Sequence, residues 1–213
     1  MFKFTFDEIR DLMIAFLVIS LCFGIAQSGK NTDVLMQILP IIMVGVGLGF
    51  ILHELGHKFV SMHYGYWAEF KLWPQGLLLA LITSFFGIVF AAPGAVYTYA
   101  NFMTDEINGK ISVAGPVVNI ILALIFLLIA SSIYTQAFHS QDLVLIFNIC
   151  AVGFSVNSYL AVFNLIPFGN LDGSKVLNWN AGIWVITIGI AGIMTYFSMT
   201  IGVENIVRII IGF

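Results

Sequence analysis

The sequence predicts an all-α polytopic membrane protein with about 5–6 transmembrane helices, broken by one small membrane-embedded re-entrant or β-stranded loop. Three observations lead there. The 213 residues are 60% hydrophobic and only 9% charged, whereas a soluble domain carries about 25% charge. The mean hydropathy is +1.03. Several uncharged stretches come close to the length of about 17–25 residues that a membrane helix needs. A chain so poor in charge cannot cover a water-facing surface, so the lipid bilayer is the expected partner and solvent. The net charge of −3 gives no basis for binding nucleic acid.

The stretches follow in order. Leu12–Ala26 is short, but Thr5-Phe-Asp-Glu8 before it fits a capping box, so the helix is expected to start near Phe6. Asp7, Glu8 and Asp11 make this the wrong start for a cleavable signal peptide, and none is expected. Val34–Met62, Ile111–Tyr134 and Leu143–Phe168 are long enough to span. Ala181–Ile201 closes the set, and Val203–Phe213 reads as an amphipathic tail. Cys22 and Cys150 lie in apolar runs and are expected to stay reduced. Gly45, Gly47 and Gly49 suggest close helix contact rather than a nucleotide loop, since no strand–helix unit surrounds them. The whole of 1–213 reads as one integral-membrane unit, with a core of about 34–178 and peripheral helices of about 6–27 and 181–213.

Leu77–Phe90 is the ambiguous piece. Apolar runs of about 10–14 residues more often re-enter than span, and Pro93-Gly94 favours a turn. Phe70–Leu72 and Ala95–Tyr99 are candidate flanking strands. Charge arbitrates. If the run re-enters, Lys3, Arg10, Lys58, Lys71, Lys110 and Lys175 share one side, against Lys30 and Arg208 on the other. If it spans, the division is five to three. The positive-inside rule favours the six-to-two division and puts that side in the cytoplasm.

Chemistry concentrates at His53-Glu-Leu-Gly-His57. Histidines four apart share one helix face and can bind a single metal. Glu54 lies beside them, placed to take a proton from water. The motif ends the uncharged run Leu35–Leu52, and ionisable groups at membrane depth are costly unless they pair or serve function. Two of the four histidines fall here together. A catalytic zinc site takes a third protein ligand. His63 lies about 240° round the helix from His57, and His139 and Asp142 fall on the opposite side. Asp172, in Asn-Leu-Asp-Gly, returns to the motif's side and is the best candidate, although Asp-Gly is also a common turn pair.

His53–His57, then Gly115-Pro-Val-Val-Asn119, then Asn164-Leu-Ile-Pro-Phe-Gly-Asn-Leu-Asp172-Gly resemble the site-2 protease family of intramembrane zinc metalloproteases. The resemblance covers residues 45–178, and the three motifs stand in the family's order. It implies a three-helix catalytic core, one Zn2+ held by His53, His57 and Asp172, and Glu54 as general base and acid. It also implies a membrane-embedded, partly β-stranded loop between the first two core helices. The family often shows Asn-Pro-Asp-Gly at the third motif; here Leu171 precedes the aspartate and the nearest proline is Pro167. The expected activity is hydrolysis of a peptide bond in or near a transmembrane helix of another membrane protein. No appended soluble sensor domain is expected in this length. For Asn119 and Asn164, the resemblance suggests substrate or oxyanion binding; hydrogen bonding between helices is the plainer reading. Pro167 and Gly169 are expected to break the helix before Asp172.

Two other classes stand beside this one. A metal transporter could use the histidines for a passing ion, but has no need of Glu54 as a base and usually shows internal repeats, none of which is clear here. A catalytically inactive protein could merely bind helices, against which the intact motif and Asp172 argue.

Overall fold

A computed structural model describes residues 3–90 and 92–212. The chain runs α1 (Phe6–Ser28), α2 (Thr32–His63), β1 (Trp67–Leu72), α3 (Pro74–Ser84), β2 (Gly94–Tyr99), α4 (Asp105–Ala137), α5 (Gln141–Asn164), α6 (Asp172–Trp179), α7 (Ala181–Thr200) and α8 (Val203–Ile211). Among the described residues, five helices (α1, α2, α4, α5 and α7) are long and apolar enough to cross a bilayer. This is an all-α multi-pass membrane protein with one two-stranded sheet.

Local chemistry explains the ends. Thr5 caps α1, its hydroxyl accepting from the Glu8 amide at 3.1 Å. The capping box is only half used, because the Glu8 side chain turns to Lys58 instead. Asn31 starts α2 by accepting from the amides of Asp33 and Val34. Thr104 caps α4, which begins six residues before the apolar run expected from Ile111. The expected fourth span, Leu143–Phe168, ends earlier, at Asn164, where the chain turns before Pro167.

The ambiguous run 77–90 does not span. Its helix, α3, stops at Ser84, an axial rise of about 16 Å against a hydrocarbon core of about 30 Å. β1 and β2 are antiparallel, with Leu72 opposite Gly94. The segment between them therefore leaves and returns at one point. Phe85, Phe86 and Ile88 form an exposed apolar tip.

Helices α2, α4 and α5 form the centre. Gly45 and Gly153 let α2 and α5 cross closely: a Cβ on Gly45 would lie 3.1 Å from the Gly153 amide nitrogen. On one side of α5, Val156 and Leu160 join an apolar cluster with α1, α2, α3 and the sheet. On the other, Cys150, Phe154 and Ala161 join a cluster with α4, α7 and α8. Both cysteines are free and buried.

The sheet is held from α1. The Lys58 ammonium meets both Glu8 oxygens, at 2.7 and 2.5 Å, with each side chain 1% exposed. Glu8 also accepts from the Phe70 amide at 3.1 Å, and Asp11 accepts from the Leu72 amide at 3.2 Å. Carboxylates one helical turn apart thus cap alternate amides along the outer edge of β1. The alternation leaves Gly94, Val96 and Thr98 of β2 with their amide and carbonyl groups on the sheet's other edge.

Candidate metal centre

His53 and His57 sit one turn apart on α2, about 30 Å along its axis. Their side chains are 5% and 8% exposed. Asp172 arrives from the far end of the sequence. After α5, Gly169 takes a left-handed backbone at φ 58°, which turns the chain, and Asp172 opens α6. The Asp-Gly pair is not a tight turn. Gly173 is needed for space: a Cβ there would run into the Leu165 carbonyl. That close approach seats the first turn of α6 on the end of α5 and aims Asp172 at α2.

The three ligand candidates converge. Asp172 Oδ2 lies 3.4 Å from His53 Nε2 and 3.1 Å from His57 Nε2, and the two nitrogens are 3.0 Å apart. The edge of a tetrahedron with bonds of about 2.1 Å is roughly 3.4 Å. His57 Nδ1 meets the Ile111 carbonyl at 2.8 Å. A carbonyl only accepts, so the His57 proton sits on Nδ1 and Nε2 turns a lone pair inward. His53 Nδ1 meets Asn119 Oδ1 at 2.5 Å. Asp172 supplies the carboxylate of the group. Its outer oxygen lies 3.8 Å from Lys175.

The residues fit a metal ion on three grounds. Two imidazoles and a carboxylate suit zinc. All three offer atoms within 4.8 Å of one another. The wall opposite them is Gly115 of α4, whose absent side chain leaves the cradle open: a Cβ would stand 2.5 Å from His57 Nε2 and 2.6 Å from His53 Nε2.

Glu54 flanks the group. It is buried, and its Oε2 has no hydrogen-bond partner within the protein. Such an acceptor costs free energy unless something at the site uses it.

The remaining candidates separate. Asn119 is fully buried; its Nδ2 donates to the Gly49 carbonyl at 3.0 Å and to Asn157 Oδ1 at 2.9 Å. With both amide hydrogens spent, it offers no donor to a substrate, and the oxyanion expectation does not fit this geometry. Asn164 donates back to the Leu160 carbonyl, and among the described residues no hydrogen bond ties it to the three ligands. His63 is exposed beside Tyr64. His139 and Asp142 are exposed at the other end of α5. Sequence reasoning missed Asn157 and the spatial role of Gly115. A buried-helix asparagine was a signal for the first; nothing local marked the second.

No family model matches the chain, and no solved structure does. Three relatives do, each bearing the name "Putative zinc metalloprotease". MJ0611 of Methanocaldococcus jannaschii is 41% identical over 197 residues, covering 92% of this chain and 96% of that protein. YwhC of Bacillus subtilis is 28% identical over 156 residues, 67% of this chain and 69% of that protein. Rip2 of Mycolicibacterium smegmatis is 29% identical over 153 residues, 64% of this chain and 56% of that protein.

Proposed function

We propose, from the premise that the chain belongs to the site-2 protease family of zinc metalloproteases, that it is an intramembrane endopeptidase cutting a transmembrane helix of another membrane protein. One observation carries the reading: three inward-facing donors share a cradle beside a buried carboxylate oxygen that nothing in the protein satisfies. His53, His57 and Asp172 would hold one Zn2+. That ion, when bound, supplies a Lewis acid that polarises a peptide carbonyl and acidifies water at the site.

Glu54 is the proton carrier. Its free Oε2 takes a proton from water as the water oxygen attacks the carbonyl carbon. It returns that proton to the departing amine nitrogen as the C–N bond breaks. A transmembrane helix hides its carbonyls in its own hydrogen bonds, so the cut segment unwinds first. Unpaired backbone groups in lipid are costly. The open edge of β2 at Gly94, Val96 and Thr98 can take them up by strand addition. The outer edge of β1 is closed to this role by Glu8 and Asp11.

Residues 1–213 act as one integral-membrane unit in this reading, and the six-to-two charge division puts the site toward the cytoplasm. The test compares membranes of cells producing the wild type with those producing Glu54→Gln. New protein N-termini within membrane spans are expected only with the wild type, with turnover lowered about 10²–10⁴-fold by the substitution. Zinc content should stay the same. Identical sets of N-termini from the two proteins would overturn the reading. Zinc carried across the membrane by the wild type without cleavage would point instead to a transporter.

A further inference from the structure

We propose that Asn157 and Asn119 form a buried proton-polarity relay that sets the tautomer of His53 and so keeps its metal-facing nitrogen unprotonated. The inference rests on reading His53, His57 and Asp172 as a zinc site. It assigns a positioning role to Asn157, a residue that touches none of the three.

Backbone carbonyls can only accept. Asn157, on α5, is fully buried, and its Nδ2 faces the Gly153 carbonyl at 2.8 Å and the Gly45 carbonyl at 3.4 Å. Two acceptors fix the amide nitrogen on that side, so Oδ1 faces away. That oxygen meets Asn119 on α4 at 2.9 Å and needs a donor, which makes the meeting atom Nδ2. The Gly49 carbonyl, 3.0 Å from the same nitrogen, accepts its second hydrogen. Asn119 Oδ1 is thereby turned toward His53 Nδ1, 2.5 Å away, and an amide oxygen can only accept. The His53 proton is held on Nδ1, and Nε2 presents a lone pair to the cradle.

The relay crosses all three central helices, and the glycines of α2 make it possible. A Cβ on Gly49 would lie 2.7 Å from Asn157 Oδ1, and one on Gly45 would press on Gly153. The Val-Gly-Val-Gly-Leu-Gly run therefore does more than allow close packing: it bares two carbonyls that orient the amides. His57 needs no such chain, because it bonds directly to the Ile111 carbonyl. The two ligands thus depend on different anchors, and a change at 157 is felt by one of them alone.

The experiment uses full-length protein in detergent, with 15N-labelled histidine, zinc titration and a thermal melt. Asn157→Leu removes one of the two acceptors that hold the Asn119 amide in this orientation. The expected result is a His53 tautomer shift in the nitrogen spectrum, an unchanged His57, and a zinc affinity about 10–100-fold lower. Ser158→Ala, equally buried on the same helix but bonded only to the Phe154 carbonyl, should leave all three at wild-type values. A folded Asn157→Leu protein with wild-type zinc affinity and His53 spectrum overturns the relay. If Asn157→Leu does not fold, Asn119→Asp and Asn119→Leu decide. Aspartate keeps an acceptor at His53 Nδ1 and should bind zinc more tightly than the leucine variant; equal affinities overturn the proposal. The histidine spectra need neither zinc nor a substrate. A wild type that keeps the tautomer but cleaves nothing sinks the protease reading and leaves the relay standing.

Discussion

At Gly115 a single missing carbon decides whether the centre can exist. A methyl group there would stand at hard-contact distance from both Nε2 atoms, on rigid helix backbone. Gly115→Ala is expected to lower zinc affinity by about tenfold or more, measured by competition with a chelator, because it moves the ligands themselves rather than their supports. Gly173→Ala acts from the other side: its Cβ would collide with the Leu165 carbonyl and push the first turn of α6 away. Asp172 would lift from the histidines, so zinc content should fall while the apo protein still folds. Equal zinc in wild type and Gly173→Ala would remove Asp172 from the ligand set. The histidines, Glu54 and Asp172 were legible as residues. The glycines that make room for them were not, because a glycine's role in a crowded site depends on what other helices bring to it.

The elements add a dependence that the motifs do not show. α1 carries no ligand, yet Glu8 and Asp11 hold the edge of β1, and Glu8 closes a buried pair with Lys58, one residue past His57. Removing one member leaves an unpaired charge in a site 1% exposed. Lys58→Met or Glu8→Gln should each destabilise the protein by about 3–5 kcal/mol, seen as a lower melting midpoint in detergent. The double replacement Glu8→Leu with Lys58→Met should recover much of that loss. If the single variants melt with the wild type, the pair does not tie α1 to the site. The capping box at Thr5–Glu8 was visible in the sequence, and its hydroxyl half is used. Its carboxylate half was diverted because Lys58, fifty positions later, is a stronger partner than an exposed backbone amide.

For the whole molecule, the antiparallel strands settle the topology of the re-entrant loop. Single cysteines in a background lacking Cys22 and Cys150 provide the check. Those at Tyr64, Asn101 and Asn170 should react with a membrane-impermeant reagent from one side. Those at Lys30 and Ser140 should react only from the other. Phe86→Cys, at the loop tip, should resist that reagent from both sides. Labelling of Phe86→Cys from the side of Lys30 would mean that the segment crosses. If the charge rule applies as expected, the side of Asn170 is the cytoplasmic one.

Composition and hydropathy alone determined that this chain lives in a bilayer, because burial in lipid is a property of each segment's own side chains. The spacing of His53 and His57 likewise needed only the helical period. Length and charge pointed to re-entry for Leu77–Phe90, and the pairing of Leu72 with Gly94 supplied the geometry. Bringing Asp172 to the histidines took the helix break at Gly169 and the close seat of α6 on α5. Reassigning Asn119 from a substrate contact to the support of His53 took Gly49 and Asn157, on two other helices. Partners so far apart in the chain carry no local pattern, and only the packed bundle brings their atoms within hydrogen-bond reach. The unsatisfied Oε2 of Glu54 belongs to the same class: a group is unpartnered only relative to everything folded around it.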